Sequence, residues 1–189
     1  TGGQDIILGA GSETGGNLTD LDLTTSDLSN ILAGFTQITI GDAAASGTVS
    51  VVGVSNFADP LTIRSSTFSV GVGASLSTSN DILTIFADSM TLSGNVNSGS
   101  AMTWIRPTTA GQLIDLGGAD AAGTLGISAT DLTRLVTTGV LRIGDATAGN
   151  ITVTAAFAPA GTLGTLSLET GGSITDTGAG VLGTVNNLA

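Results

Sequence analysis

The chain has 189 residues, including 29 Gly, 30 Thr and 19 Ser, with 15 acids against four Arg and no Lys, His or Cys. A net charge of −11 excludes the basic surface that releases counterions from nucleic acid and is repelled by anionic membrane surfaces. Without His or Cys, zinc-finger, haem and iron–sulfur ligation are excluded too, as are disulfides.

The apolar fraction of 41% is too high for a disordered polar tract. It is spread in short bursts, and none approaches the roughly 18 residues of a membrane helix. The first residue is Thr and no charged start leads into an apolar stretch, so an excerpt of a longer protein is expected.

Taken along the chain, the bursts predict strands at 18–23, 37–40, 48–52, 61–63, 67–72, 82–87, 90–92 and 102–105. Further strands are predicted at 113–116, 124–128, 140–143, 150–154, 162–168 and 173–175. Most alternate an aliphatic residue with Thr or Ser, as in Leu61-Thr62-Ile63 and Ile151-Thr152-Val153, which is the period of a β-strand. The inward set is expected to be Ile38, Ile40, Val49, Val51, Leu61, Ile63, Leu83, Ile85, Leu141, Ile143, Ile151, Val153, Leu166 and Leu168.

One segment departs from this period. Leu28, Ile31 and Leu32 follow Ser26-Asp27 at helical spacing, and Leu132, Leu135 and Val136 follow Thr130-Asp131. One helical turn is expected at each place. Ser26 and Thr130 would be the N-caps, Asp27 and Asp131 would sit at the positive helix end, and Gly34 and Gly139 would stop the turn.

These two segments belong to a long internal repeat. LTTSDLSNILAGFTQITIGDAAASGTVSVVG at 23–53 matches ISATDLTRLVTTGVLRIGDATAGNITVTA at 127–155, and Thr1-Gly-Gly-Gln4 matches Thr109-Ala-Gly-Gln112. The units are 1–108 and a shorter 109–189 of one continuous solenoid. The first carries about one extra residue between Gly34 and Gln37, which should bulge and leave Ile38 and Leu141 equivalent. A long repeat, few aromatics and turns marked by Gly, Asn and Asp predict an all-β solenoid. At roughly 20 residues per coil and about 4.8 Å per strand, nine coils would make a rod on the order of 45 Å.

The Asp-Leu…Ile-Gly-Asp-Ala…Gly…Ile-Thr-Val stretches resemble the repeat regions of filamentous haemagglutinin-like exoproteins. So do Asp81-Ile-Leu-Thr-Ile-Phe-Ala-Asp88-Ser-Met-Thr-Leu-Ser-Gly94 and Gly171-Gly-Ser-Ile-Thr-Asp176-Thr-Gly178. These are bacterial surface adhesins exported by two-partner (type V) secretion. The resemblance implies a right-handed parallel β-helix, an extracellular or cell-surface location and an adhesive or scaffolding role. It carries over no catalytic residue.

Chemistry is sparse. A nucleophilic triad lacks its His and a Schiff base its Lys. The acid pairs Asp20/Asp22 and Asp115/Asp120 leave a β-helix polysaccharide-active enzyme as an alternative. Asp42 and Asp145, each after a glycine (Gly41, Gly144), are read as Asx-type turns. Calcium is the sharper reading there, but the Gly-Gly-x-Gly-x-Asp calcium repeat is absent. Gly178-Ala-Gly180-Val-Leu-Gly183 opens no helix and is read as a chance dinucleotide match. Asn17 and Asn150 fit the glycosylation triplet, and only an outward Asn could be modified. Trp104 is read as capping a core. The four Arg are read as outer-face partners of nearby Asp, too few for a basic patch.

The expectation is therefore a shaft without catalysis, cofactor or metal. Its partners would be neighbouring coils of the same or identical chains, with glycans contacted through a distal part of a longer protein, and neither nucleic acid nor an inserted membrane. A fibre subunit stacking head to tail is the second reading.

Overall fold

The computed structural model describes residues 4–12, 20–42, 47–156 and 163–178. The chain opens with β1 (Asp5–Ala10), β2 (Asp20–Thr24), α1 (Thr25–Ser29) and β3 (Ile38–Gly41). Three regular coils follow: β4 (Thr48–Val51), β5 (Val54–Phe57) and β6 (Leu61–Arg64); β7 (Thr67–Val70), β8 (Ser75–Thr78) and β9 (Leu83–Phe86); β10 (Ser89–Leu92), β11 (Asn95–Asn97) and β12 (Thr103–Arg106). The second unit brings β13 (Leu113–Gly117), β14 (Thr124–Ser128), α2 (Ala129–Arg134), β15 (Val140–Asp145), β16 (Ile151–Val153), β17 (Thr165–Thr170) and β18 (Ile174–Asp176).

The named strands pair in parallel, each with its counterpart one coil away. One face is a six-stranded sheet in the order β17-β15-β12-β9-β6-β3. Its inner columns are Ile38-Leu61-Leu83-Thr103-Leu141-Leu166 and Ile40-Ile63-Ile85-Ile105-Ile143-Leu168. Stacking puts like on like, so small aliphatics fill the narrow interior. Every residue of the expected inward set lies in the core or packs against it, with Ile38 and Leu168 partly buried. Ile38 and Leu141 share one column, on the same side of the sheet. Full burial of each such side chain contributes about 1.5–3 kcal/mol.

Thr103 interrupts an aliphatic column yet is buried. Its hydroxyl lies 2.8 Å from that of Ser98, which is also within hydrogen-bond distance of Ala101 O and the Thr137 hydroxyl, each at 3.0 Å. A shared hydroxyl network thus meets the cost of the polar group inside.

The winding is not simply sequential. The sheets carrying β1 and β13 run β10-β7-β4-β1-β2 and β14-β13-β16-β18. In each unit the second strand therefore sits outside the first, and the chain then leaps past both. This doubling, with its helix, makes the coil from Thr103 to Leu141 long. The long face accordingly has six strands among the described residues. Six strands span on the order of 24 Å, so the nine-coil estimate is corrected.

The return from β13 to β14 crosses the outer side of the sheet, with Gly126 pressed against the backbone of Ala119 and Asp120. A Cβ at Gly126 would overlap that backbone, whereas one at Gly11 meets nothing within 4 Å. Gly126→Val is expected to lower stability by about 1–3 kcal/mol, as overpacking does, and Gly11→Ala to change little. Urea midpoints of the two variants check this.

The helix caps also need correction. The N-caps are Thr24 and Ser128, two residues ahead of Ser26 and Thr130, which lie within the helices. Asp27 and Asp131 stand at N3 and close capping boxes. Each accepts the cap N–H at 2.9 Å, while its own N–H donates to the cap hydroxyl at 3.2 Å. A hydroxyl three residues before a carboxylate is the signature that decides the cap. The helices end at the C-caps Asn30 and Leu135, before Gly34 and Gly139, and Leu32 is 74% exposed.

Candidate functional site

The outer side of the six-stranded sheet gathers three of the four Arg and the single Trp. In a strand, the residues between core positions face outward. Arg64, Phe86 and Arg106 therefore form one outer column, with Trp104 and Arg142 paired beside it. The guanidinium of Arg64 lies 4.2 Å from the Phe86 ring centroid, and that of Arg106 lies 4.5 Å from it on another rung. Arg106 is also 4.8 Å from the Trp104 ring, and Arg142 is 4.6 Å from it. Rings alternate with cations, so each guanidinium lies over a π-face instead of against another guanidinium. Such contacts contribute about 0.5–1 kcal/mol each where exposed and about 2 when desolvated.

Two carboxylates complete the ladder. Arg106 pairs with Asp145, and Arg142 with Glu169. Trp104 Nε1 donates to Gly144 O at 2.8 Å. Gly144, at φ 81°, holds a left-handed backbone whose Cβ would overlap the Glu169 carbonyl. Trp104 thus lies on the outer face and does not cap the core. Arg106 meets the expected Asp partner, whereas Arg142 pairs with a Glu, and Arg134 lies apart in the last turn of α2.

Asp145 organises the corner after β15. Its Oδ1 accepts Thr147 N at 2.6 Å, Thr147 Oγ1 at 2.7 Å and Ala148 N at 2.9 Å, while Oδ2 meets Arg106. Asp42 directly follows the matching strand β3 and is exposed; residues 43–46, which would complete its turn, lie outside the described residues. Gly41, at φ 92°, packs against the Arg64 backbone as Gly144 does against Glu169.

Burial pushes the Asp145 carboxyl up. The Thr147 hydroxyl and N–H, the Arg106 guanidinium and the Ala148 N–H together outweigh it and hold the group below the ordinary carboxylate value of 3.8. A carboxyl lowered in the folded chain stabilises it above the unfolded value and loses that contribution as pH falls through the folded one. Stability should therefore decline from about pH 5 downward, and Asp145→Asn should decline less steeply over the same range. Denaturation midpoints of both chains across that window check this.

Several other acids accept backbone N–H groups. Asp120, in the return loop, accepts Met90 N at 2.9 Å and Gly126 N at 2.8 Å, and Asp131 Oδ1 accepts Leu92 N at 2.6 Å. Asp115 accepts the Thr154 hydroxyl. Asp120 and Asp131 bridge the gap between β10 and β14, where strand pairing lapses, above a cavity of about 380 Å³. Asp88 accepts Thr108 N at 2.9 Å and Thr109 N at 2.8 Å at the corner joining the two units. Asn150 uses its Oδ1 for Ser173 N at 2.9 Å, while Asn17 and residues 179–189, with most of the glycine triplet, lie outside the described residues.

Among the described residues no group of three or more His, Cys, Asp or Glu could hold a metal ion. No helix of the described chain is long and apolar enough to cross a membrane. Chemically, the arrangement ties coil to coil: it offers cations clamped by rings and carboxylates engaged with backbone N–H groups. No family model, no curated protein and no solved structure matches the chain.

Proposed function

We propose that the chain is a non-catalytic shaft segment of a filamentous bacterial surface adhesin, wound as a right-handed parallel β-helix and held outside the cell. The observation that carries this reading is continuity. The six-stranded sheet passes from β12 to β15 across the boundary between units, in register and without a break. The Arg–aromatic ladder crosses the same boundary, with Arg106 of the first unit paired to Asp145 of the second. A fold that adds units without a seam is suited to spacing, and stacked rungs that satisfy each other's backbone make a stiff rod. The Thr- and Ser-rich composition and lack of cysteine suit a wetted exterior and an exported chain. Its partners on this reading are coils of its own kind, with glycan contact left to a distal part of a longer protein.

Two measurements test it. A chain with residues 1–108 repeated in tandem should scatter as a particle longer than the parent along one axis only, and a panel of acidic polysaccharides, with and without calcium, should stay intact. A tandem chain that grows in all directions, or cleavage lost on replacing Asp115 or Asp120, would overturn the shaft, the latter in favour of a polysaccharide-active enzyme.

A further inference from the structure

We propose that the open face of the β2–α1–β3 coil is an acceptor for the closing coil of another copy of this repeat, with Asp27 Oδ1 taking the backbone N–H that Leu92 presents. This goes beyond the shaft reading by naming the contact that joins one unit to the next. It rests on the internal repeat and not on the adhesin assignment.

The second unit supplies the template. Its β14–α2–β15 coil is covered by β10–β11–β12 of the first. Leu92 N donates to Asp131 Oδ1, Val136 N donates to Val96 O at 2.9 Å, and Val96 bridges Leu135. Below them Thr103 pairs with Leu141 and Ile105 with Ile143. Under this cover Leu125 and Ile143 are 0% exposed and Asp131 is 6% exposed.

Cover is only partial in the first unit, although Ile40, the counterpart of Ile143, is 7% exposed. Leu21, the counterpart of Leu125, is 44% exposed, and Asp27 is half-buried where Asp131 is buried. Asp27 Oδ2 accepts the N–H and hydroxyl of Thr24, as Asp131 Oδ2 does for Ser128. Asp131 Oδ1 takes Leu92 N, whereas Asp27 Oδ1 accepts nothing among the described residues. β2 and β3 are the end strands of their sheets. A β12-like strand would set Thr103 against Ile38 and Ile105 against Ile40. The covalent path is ready-made, since Thr1-Gly-Gly-Gln4 matches the Thr109-Ala-Gly-Gln112 that follows Thr108. The counterpart of Asp120 falls within 13–19, outside the described residues.

The test is a chain with residues 1–108 placed directly before Thr1, the added copy isotope-labelled by segmental ligation. Leu92 N–H of the added copy should exchange at least 100-fold slower than an unstructured amide. Asp27→Ala in the original copy should abolish that protection and leave the other Leu92 protected through Asp131. In the parent chain the same substitution should leave Leu92 protection unchanged, which controls for folding. A lengthened chain that scatters as a longer rod while the added Leu92 exchanges freely would overturn the acceptor and leave the shaft standing. Units that tumble separately would overturn both.

Discussion

A chain carrying Ile143→Asp is expected to lose the middle of its stack. Ile143 is 0% exposed and lies between Ile105 and Leu168 in the second inner column. Removing the aliphatic side chain forfeits about 2–5 kcal/mol. A carboxylate there has no basic neighbour inside, and burying it or forcing it neutral costs several kcal/mol more. Domains of this size are stable by only about 5–15 kcal/mol. Repeat stacks hold mainly by nearest-neighbour contacts, so the loss should centre on β12, β15 and β17. Far-UV dichroism should fall and amide protection should vanish first in those strands. Thr39→Asp, at an exposed outward position of the same sheet, should melt close to the parent. If the two variants melt alike, the inward–outward alternation is wrong.

That alternation was the part of the fold most legible in the sequence. Leu61-Thr62-Ile63 and Ile151-Thr152-Val153 each face the core with both aliphatics because a strand has a period of two, and nothing in the tertiary structure competes with it. The helices were legible in place but not in detail. Sequence alone puts the Asp of Asp-Leu directly after its cap, whereas the carboxylate stands at N3 and reaches back to Thr24 or Ser128. Winding order was not legible at all. Whether β2 lies before or after β1 depends on which strand edge it meets, and both edges carry the same alternation. The ladder of Arg64, Phe86, Arg106, Trp104 and Arg142 was legible in principle. Leu61-Thr-Ile-Arg64, Leu83-Thr-Ile-Phe86, Thr103-Trp-Ile-Arg106 and Leu141-Arg-Ile-Gly144 align on their shared Ile, and that register alone stacks the cations and rings. Read as isolated residues, they appear scattered.

Asp131→Ala tests the device that carries the stack across the lapse in strand pairing between β10 and β14. Between β10 and β14 the inserted strand leaves the Leu92 and Met90 N–H groups without carbonyl acceptors. Carboxylates substitute: Asp131 for Leu92 and Asp120 for Met90. Asp131 is 6% exposed and Leu92 is 1% exposed, so water cannot readily replace the lost acceptor. An orphaned buried N–H costs about 1–3 kcal/mol. The same carboxylate closes the α2 capping box, and loss of a cap costs about 0.5–2 kcal/mol. The two effects share one side chain, so Asp131→Ala should lower stability by about 2–4 kcal/mol. Asp131→Asn keeps an oxygen for Leu92 and should recover part of the loss. Asp27→Ala removes the matching cap where Oδ1 has no described donor, so its effect should be smaller and confined to the start of α1. Urea midpoints of the three variants decide the matter. Equal losses at Asp27 and Asp131 would mean that the carboxylate serves only its helix, and that the join between β10 and β14 is held by something else.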